Sequence, residues 1–194
     1  MSASVVIIAN RSEESRIASL MTLAFANDPV MRYLYPDQLL FLTHFPEFVR
    51  LFGGKAFDRG TAYMTEDGFG AALWLPPAEL PDEDALIGLV KRSTRDSAKP
   101  ELFQVFRQMN DYHPDEPHWY LPLIGVDPLY QGGGIGSALL TYALAICDRE
   151  KRLAYLESSN PKGPPLYQRH GFEVLGIIDV GGHPTIIPML RKPR

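Results

Sequence analysis

One cysteine, Cys147, stands in 194 residues. That excludes an internal disulfide framework and suits a reducing compartment. Its place among apolar positions at helical spacing marks a small buried residue rather than a nucleophile. No apolar run approaches the ~18 residues of a membrane span, and Val5–Ala9 is too short for the core of a secretory leader. A cytoplasmic protein with no membrane partner is expected. Positive charge is not in excess: 19 Lys and Arg face 23 Asp and Glu, a net charge of −4. Nothing therefore favours nucleic acid as a partner. There is no internal repeat and no low-complexity tract. No His, Cys or Asp grouping has the spacing of a metal site, so no metal is expected. The 45% hydrophobic and 22% charged residues are ordinary for a globular chain. The length predicts one domain over 1–194.

What the chain does have is glycine in one place, Gly132-Gly133-Gly134-Ile135-Gly136-Ser137. Before it runs a strand-like segment, His118–Val126, and a turn at Asp127-Pro128. After it Ile135, Ala138, Leu139, Tyr142, Ala143 and Ile146 recur at helical spacing. The unit is strand, short loop, glycine-rich helix start. A helix N-terminus leaves about four N–H groups unpaired and carries partial positive charge. Glycines let a ligand approach that backbone, so the unit reads as a phosphate cradle. It is not a Walker loop, because no Gly-Lys-Ser/Thr follows. It is not a dinucleotide fingerprint, because both G-x-G-x-x frames end on Ser137 or Leu139. A third pattern, Gln/Arg-x-x-Gly-x-Gly/Ala, is met in full by Gln131-Gly132-Gly133-Gly134-Ile135-Gly136.

The rest of the chain reads in order. Val5–Ile8 is a strand, and Ser12-Glu13-Glu14 opens a helix to about Ala26 that Asn27-Asp28-Pro29 ends. Met31–Tyr35 adds a helical turn. Leu39–Phe52 is an apolar, aromatic helix that Pro46 should divide or kink. Thr61–Thr65 and Gly70–Leu75 form a hairpin around Glu66-Asp67-Gly68. Asp82–Arg92 and Glu101–Asn110 are helices in an insert over about 81–117. Leu153–Glu157 is a strand, and Leu166–His170 a short helix closed by Gly171. Phe172–Val180 and Thr185–Leu190 are a closing strand pair, with Pro188 arguing for a sheet edge or a bulge. The order predicts a mixed α/β sheet of about seven strands with helices on both faces, the fourth and fifth strands being parallel.

The Gln131–Gly136 pattern resembles the acyl-CoA pyrophosphate loop of the GNAT superfamily of N-acyltransferases. Gly125-Val126-Asp127-Pro128 before it and Ser137-Ala138-Leu139-Leu140 after it extend the likeness. The element order resembles the GNAT fold too, most closely over His118–Lys192. Ala24–Pro29, His118–Leu121, Leu156–Asn160 and Leu166–Phe172 are similar to the puromycin N-acetyltransferase branch. The resemblance implies acetyl-CoA as co-substrate, lying in a splay between the fourth and fifth strands. The N–H groups of Gly132 to Ser137 would take the pyrophosphate. The edge at Ile124 and Val126 would pair with the pantetheine, and Gly125 would supply a bulge that opens it.

Tyr167 matches the tyrosine that many superfamily members place near the thioester sulfur. A phenol is neutral at pH 7 and can give a proton to a departing thiolate; the alternative is an aromatic packed under a short helix. Asn160 matches an asparagine that bonds the pantetheine; the alternative is a turn cap. His118, Tyr120 and Ile124 share one face of a regular strand. His118 is then a candidate general base, Asp28 and Glu47 being others. The expected function is acetyl transfer to a primary amine of a small molecule, with Tyr167 as general acid. A non-catalytic acyl-CoA-binding sensor or partner-binding module is the alternative. The residues do not identify the amine, and a homodimer is a working assumption only.

Overall fold

The computed structural model describes residues 4–194. In chain order it holds β1 (Val6–Ile8), α1 (Glu14–Ala24), α2 (Pro29–Leu34), α3 (Gln38–Gly53), α4 (Lys55–Arg59), β2 (Ala62–Thr65), β3 (Gly70–Leu75), α5 (Glu83–Ser93) and α6 (Lys99–Tyr112). Then follow β4 (His118–Val126), α7 (Ile135–Arg149), β5 (Leu153–Ser158), α8 (Pro164–Arg169), β6 (Glu173–Val174) and β7 (Ile187–Arg191). The strands form one 7-stranded sheet in the order β1-β2-β3-β4-β5-β7-β6. β4 and β5 run parallel, and the other neighbours are antiparallel. This is the mixed α/β architecture that the sequence predicts.

Side-chain alternation divides the apolar residues between two cores. One lies under α1 to α6 and takes Met64, Leu73, Leu75, Tyr120, Leu123 and Tyr155 from the sheet. The other lies under α7 and takes Trp74, Trp119, Leu121, Ala154 and Leu156, with Leu166 and Tyr167 of α8 packed against it. Pro46 sits inside one continuous α3 rather than dividing it. An interior proline costs ~3 kcal/mol. Buried Phe41, Phe45 and Phe48 offset that cost, their rings spaced 4.8 and 5.6 Å.

Two expectations are corrected along β4. Leu73 pairs with Leu123, yet Leu75 pairs with Tyr120. Two steps on β3 match three on β4, so the bulge lies at Leu121–Pro122 and not at Gly125. Gly125 pairs regularly with Ala71. A Cβ on Gly125 would stand 2.7 Å from Met21 Sδ and 2.9 Å from Ala24 Cβ, so glycine answers the close approach of α1. The bulge also switches the alternation. His118 packs with Tyr155 on the face that carries Tyr120, whereas Ile124 falls on the opposite face with Trp119 and Leu121. β4 and β5 pair only where His118–Tyr120 meets Leu153–Tyr155. Beyond Tyr120 they part, and the expected splay opens at the bulge.

The closing strands differ as well. Regular pairing of the first covers only Glu173–Val174, with one isolated bridge from Ile178 to Ile186. Pro188 lies in β7 between two neighbours, not at an edge, and pairs opposite Glu157. Its carbonyl accepts the Leu175 N–H at 2.9 Å, on the side away from β5. The missing proline N–H falls on that same side, where β6 has ended, so no bond to β5 is lost.

Candidate functional site

A cavity of about 580 Å³ fills the splay. Leu121, Pro122 and Ile124–Val126 wall one side, Leu156–Asn160 the other, and the glycine loop closes one end. The Asp127 N–H donates to the Phe69 carbonyl at 2.8 Å, toward β3. Alternation then turns the backbone groups of Ile124 and Val126 to the open edge. The Gln131 side-chain amide donates to the Val126 carbonyl at 3.1 Å and fixes the turn into the loop.

Gly132 and Gly134 have φ of 79° and 89°, a left-handed backbone that a side chain strains. Gly134 is the N-cap of α7 and offers no side-chain acceptor. The first bond of α7 runs from the Ala138 N–H to the Gly134 carbonyl at 3.0 Å. Among the described residues, the N–H groups of Gly132 to Ser137 have no protein acceptor. Lys162 and Arg169 line the same cavity. Free N–H groups, a helix start and two cations make this end fit the phosphates of acyl-CoA. Ser137 Oγ meets His170 Nε2 at 2.7 Å, which ties the start of α7 to the end of α8.

Tyr167 and Asn160 line this cavity as well, so the fold brings most of the predicted residues together. The Tyr167 ring packs edge-on against Phe172 at 6.1 Å. Gly163 leaves room for it, since a Cβ there would stand 3.2 Å from Tyr167 Cε2. Burial, and then the Asp28 carboxylate, push the phenol up to about 12. Asn160 Oδ1 accepts the Lys162 N–H at 3.0 Å, a turn bond that leaves its amide N–H groups available. Asp28 is buried and caps α2, accepting the Val30 and Met31 N–H groups at 3.0 and 3.2 Å. The Ser159 hydroxyl donates to its other oxygen at 2.7 Å. Burial raises its carboxyl, and these bonds oppose the rise.

His118 is not with them. It lines a second cavity, of about 480 Å³, between the 81–117 helices and the start of β4. Its Nδ1 lies 2.8 Å from the Glu116 carbonyl, and burial lowers its pKa. Glu47 pairs with Arg92 on exposed surface and lines neither cavity. Cys147 is buried in α7, its thiol pushed up to about 12 by burial, as a structural cysteine should be. The residue that sequence reading passed over is Glu157. It lines the cleft, and its side chain is only 4% exposed. The signal was there: a carboxylate in phase with Tyr155 on an otherwise apolar strand.

The acetyltransferase (GNAT) family model matches residues 44–172. An uncharacterized N-acetyltransferase of Schizosaccharomyces pombe is 29% identical over 171 residues, spanning 81% of this chain and 69% of its own. A Corynebacterium glutamicum protein, described as histone acetyltransferase HPA2 and related acetyltransferase, superposes with a TM-score of 0.68 at 24% identity, over 100% of this chain and 98% of its own. Arylalkylamine N-acetyltransferase 2 of Aedes aegypti gives 0.69 at 13% identity over 100% of both chains. The polyamine N-acetyltransferase of Drosophila melanogaster gives 0.67 at 15%, over 97% of this chain and 99% of its own. The three structural matches are likenesses of fold.

Proposed function

The chain belongs to the GNAT acetyltransferase family and is an acetyl-CoA-dependent N-acetyltransferase; within that class we propose that it acetylates a primary amine of a small molecule by direct attack, Tyr167 acting at the departing sulfur. The observation that carries this reading is the splay itself. One cavity joins an unpaired helix start, a free strand edge and a tyrosine whose hydroxyl has no hydrogen-bond partner among the described residues.

Bound acetyl-CoA supplies an activated acyl group with a thiolate leaving group. The N–H groups of Gly132 to Ser137, with Lys162 and Arg169, hold its phosphates. The edge of β4 at Ile124 and Val126 aligns the pantetheine, and an N–H there stabilises the oxyanion that develops on attack. Asn160 adds an amide donor from the far wall. Tyr167 stays protonated through neutral pH because burial raises it, so its O–H is a donor whenever sulfur charge develops. Cys147 is too deeply placed to form an acyl-enzyme. The likeness of Tyr167 and its neighbours to the puromycin N-acetyltransferase branch belongs to this proposal. The polyamine and agmatine N-acetyltransferases among the structural neighbours support an amine acceptor in general terms.

The test is release of free CoA thiol on addition of a library of primary amines. Amine-dependent thiol release that slows roughly 10- to 150-fold in Tyr167→Phe supports the reading. Tight acetyl-CoA binding with no thiol from any amine refutes it and leaves a binding module.

A further inference from the structure

The second cavity and the cleft are separated by one carboxylate. Glu157 lines the cleft; Tyr120 and His113, both in contact with Glu157, line the second cavity. The Tyr120 hydroxyl donates to Glu157 Oε2 at 2.7 Å. Glu157 Oε1 lies 3.1 Å from His113 Nε2 and is buried with no well-formed hydrogen bond among the described residues. The Tyr155 hydroxyl, on the same face, is buried beside Glu157 and makes no well-formed hydrogen bond among the described residues. A buried carboxylate oxygen is costly to leave without a donor. The cavity beyond is largely apolar, walled by Phe52, Leu86, Ile87, Phe103, Phe106 and Met109, while Glu83, Arg107, Asn110 and His118 also line it. Its volume suits a small molecule. Such walls reward a hydrophobic body, and behind Tyr120 and His113 at the inner end the Glu157 carboxylate can meet an ammonium.

We propose that this cavity is the acceptor subsite for a primary amine on a hydrophobic, aryl-alkyl body, and that Glu157 is the catalytic base that takes the ammonium proton. This rests on the N-acetyltransfer reading above. The amine enters past His113, on the loop between α6 and β4, and its nitrogen meets Glu157 beside the splay. R–NH₃⁺ gives one proton to the carboxylate, and His113 passes it on to solvent. The freed lone pair forms the C–N bond and the C–S bond breaks. The second N–H proton leaves as the amide forms, and CoA thiolate is held by the Tyr167 O–H and takes up a proton. The balance is amide, CoA thiol and one proton released.

The experiment measures thiol release with acetyl-CoA and either phenethylamine or agmatine, a dicationic comparator, and follows acetyl-CoA binding by calorimetry. We expect phenethylamine to exceed agmatine at least tenfold in kcat/KM. Glu157→Gln keeps an acceptor for Tyr120 but cannot take a proton. Its kcat should fall about 100-fold or more near pH 7. It should then climb with pH toward the amine's own range near ~10, where the substrate arrives neutral. Acetyl-CoA affinity should hold within about twofold. Ile87→Trp, which fills the cavity, should raise KM for phenethylamine tenfold or more without changing acetyl-CoA affinity. A wild-type rate in Glu157→Gln, or a loss that does not recover with pH, overturns the base. An unchanged KM in Ile87→Trp, or a preference for agmatine, overturns the subsite. Should Glu157→Gln fail to fold, His113→Ala takes its place: a slow variant rescued by added imidazole supports the proton route, and a wild-type rate overturns it. If no amine releases thiol, N-acetyltransfer itself has failed. Phenethylamine binding to the acetyl-CoA complex then decides the cavity: loss in Ile87→Trp supports it, and equal or absent binding overturns it.

Discussion

Tyr167→Phe is the substitution for which the structure gives the most definite magnitude. The phenol stands near 12, while a thiol titrates near ~8.5. Complete proton transfer to a thiolate is thus uphill by several kcal/mol. Tyr167 is therefore asked for a charge-assisted hydrogen bond to the developing sulfur charge, worth ~1.5–3 kcal/mol. That converts to a loss of roughly 10- to 150-fold in the transfer step. The hydroxyl has no protein partner among the described residues, and the ring contact with Phe172 survives the change. Stability should therefore be unchanged, and acetyl-CoA affinity close to wild type, because the bond strengthens only as charge develops. The assay is single-turnover transfer under acetyl-CoA saturation, with a thermal melt of each protein. A wild-type rate would refute the role. So would a fall of 10⁴ or more, because a hydrogen bond to a competent leaving group cannot account for it. A lowered melting temperature would mean that the hydroxyl has a structural partner after all.

Three further outcomes follow. Gly134→Asp strains a residue at φ 89° and sets a like charge against the phosphates; calorimetry should show acetyl-CoA affinity down tenfold or more, about 1.4 kcal/mol, with unchanged circular dichroism. Asn160→Ala removes one amide donor and should weaken CoA binding by ~0.5–1.5 kcal/mol; if binding is untouched and only stability falls, the turn bond to Lys162 is the whole of its role. Asp148→Ala orphans the buried Arg191 guanidinium, which Asp148 holds at 2.7 and 2.8 Å, and urea unfolding should show a loss of about 3 kcal/mol. Arg191 holds the Asp148 carboxyl below its ordinary range. Its contribution is thus complete above the unfolded value near ~3.9 and is lost as pH falls through the lower folded value; the gap between wild type and variant should close in acid.

Local signals made much of this fold legible. The Gln131–Ser137 loop sits where strand, proline turn and helical periodicity placed it, because backbone chemistry at a helix start depends on a few neighbouring residues. The hairpin at Glu66–Gly68 is read the same way, whereas Asp28-Pro29, read only as the end of the first helix, also caps and starts α2. Pro46 does not divide α3 because propensity is local and packing is not: the phenylalanine stripe around it outweighs one missing bond. Pro188 was misread for a related reason. A proline excludes one hydrogen bond on one side of a strand, and the sequence does not say which side has a neighbour there.

The bulge at Leu121–Pro122 is the step that sequence periodicity could not take. Counted at a strict period of 2, His118 and Ile124 share a face, and His118 becomes a base beside the thioester. One extra residue reverses that parity. It leaves His118 and Tyr120 on the α1–α6 side of the sheet with Tyr155, and sends Ile124 to the α7 side. The same insertion ends the β4–β5 pairing at Tyr120, so the site opens where the alternation breaks. Strand arithmetic therefore fails at the place where the chemistry is done, since a cleft within a sheet requires an irregular strand. Glu157 escaped notice by the same logic. Its value comes from accepting the Tyr120 hydroxyl just beyond the last paired rung, Tyr120 opposite Tyr155, and the end of that pairing is set by the bulge rather than by any spacing within β5.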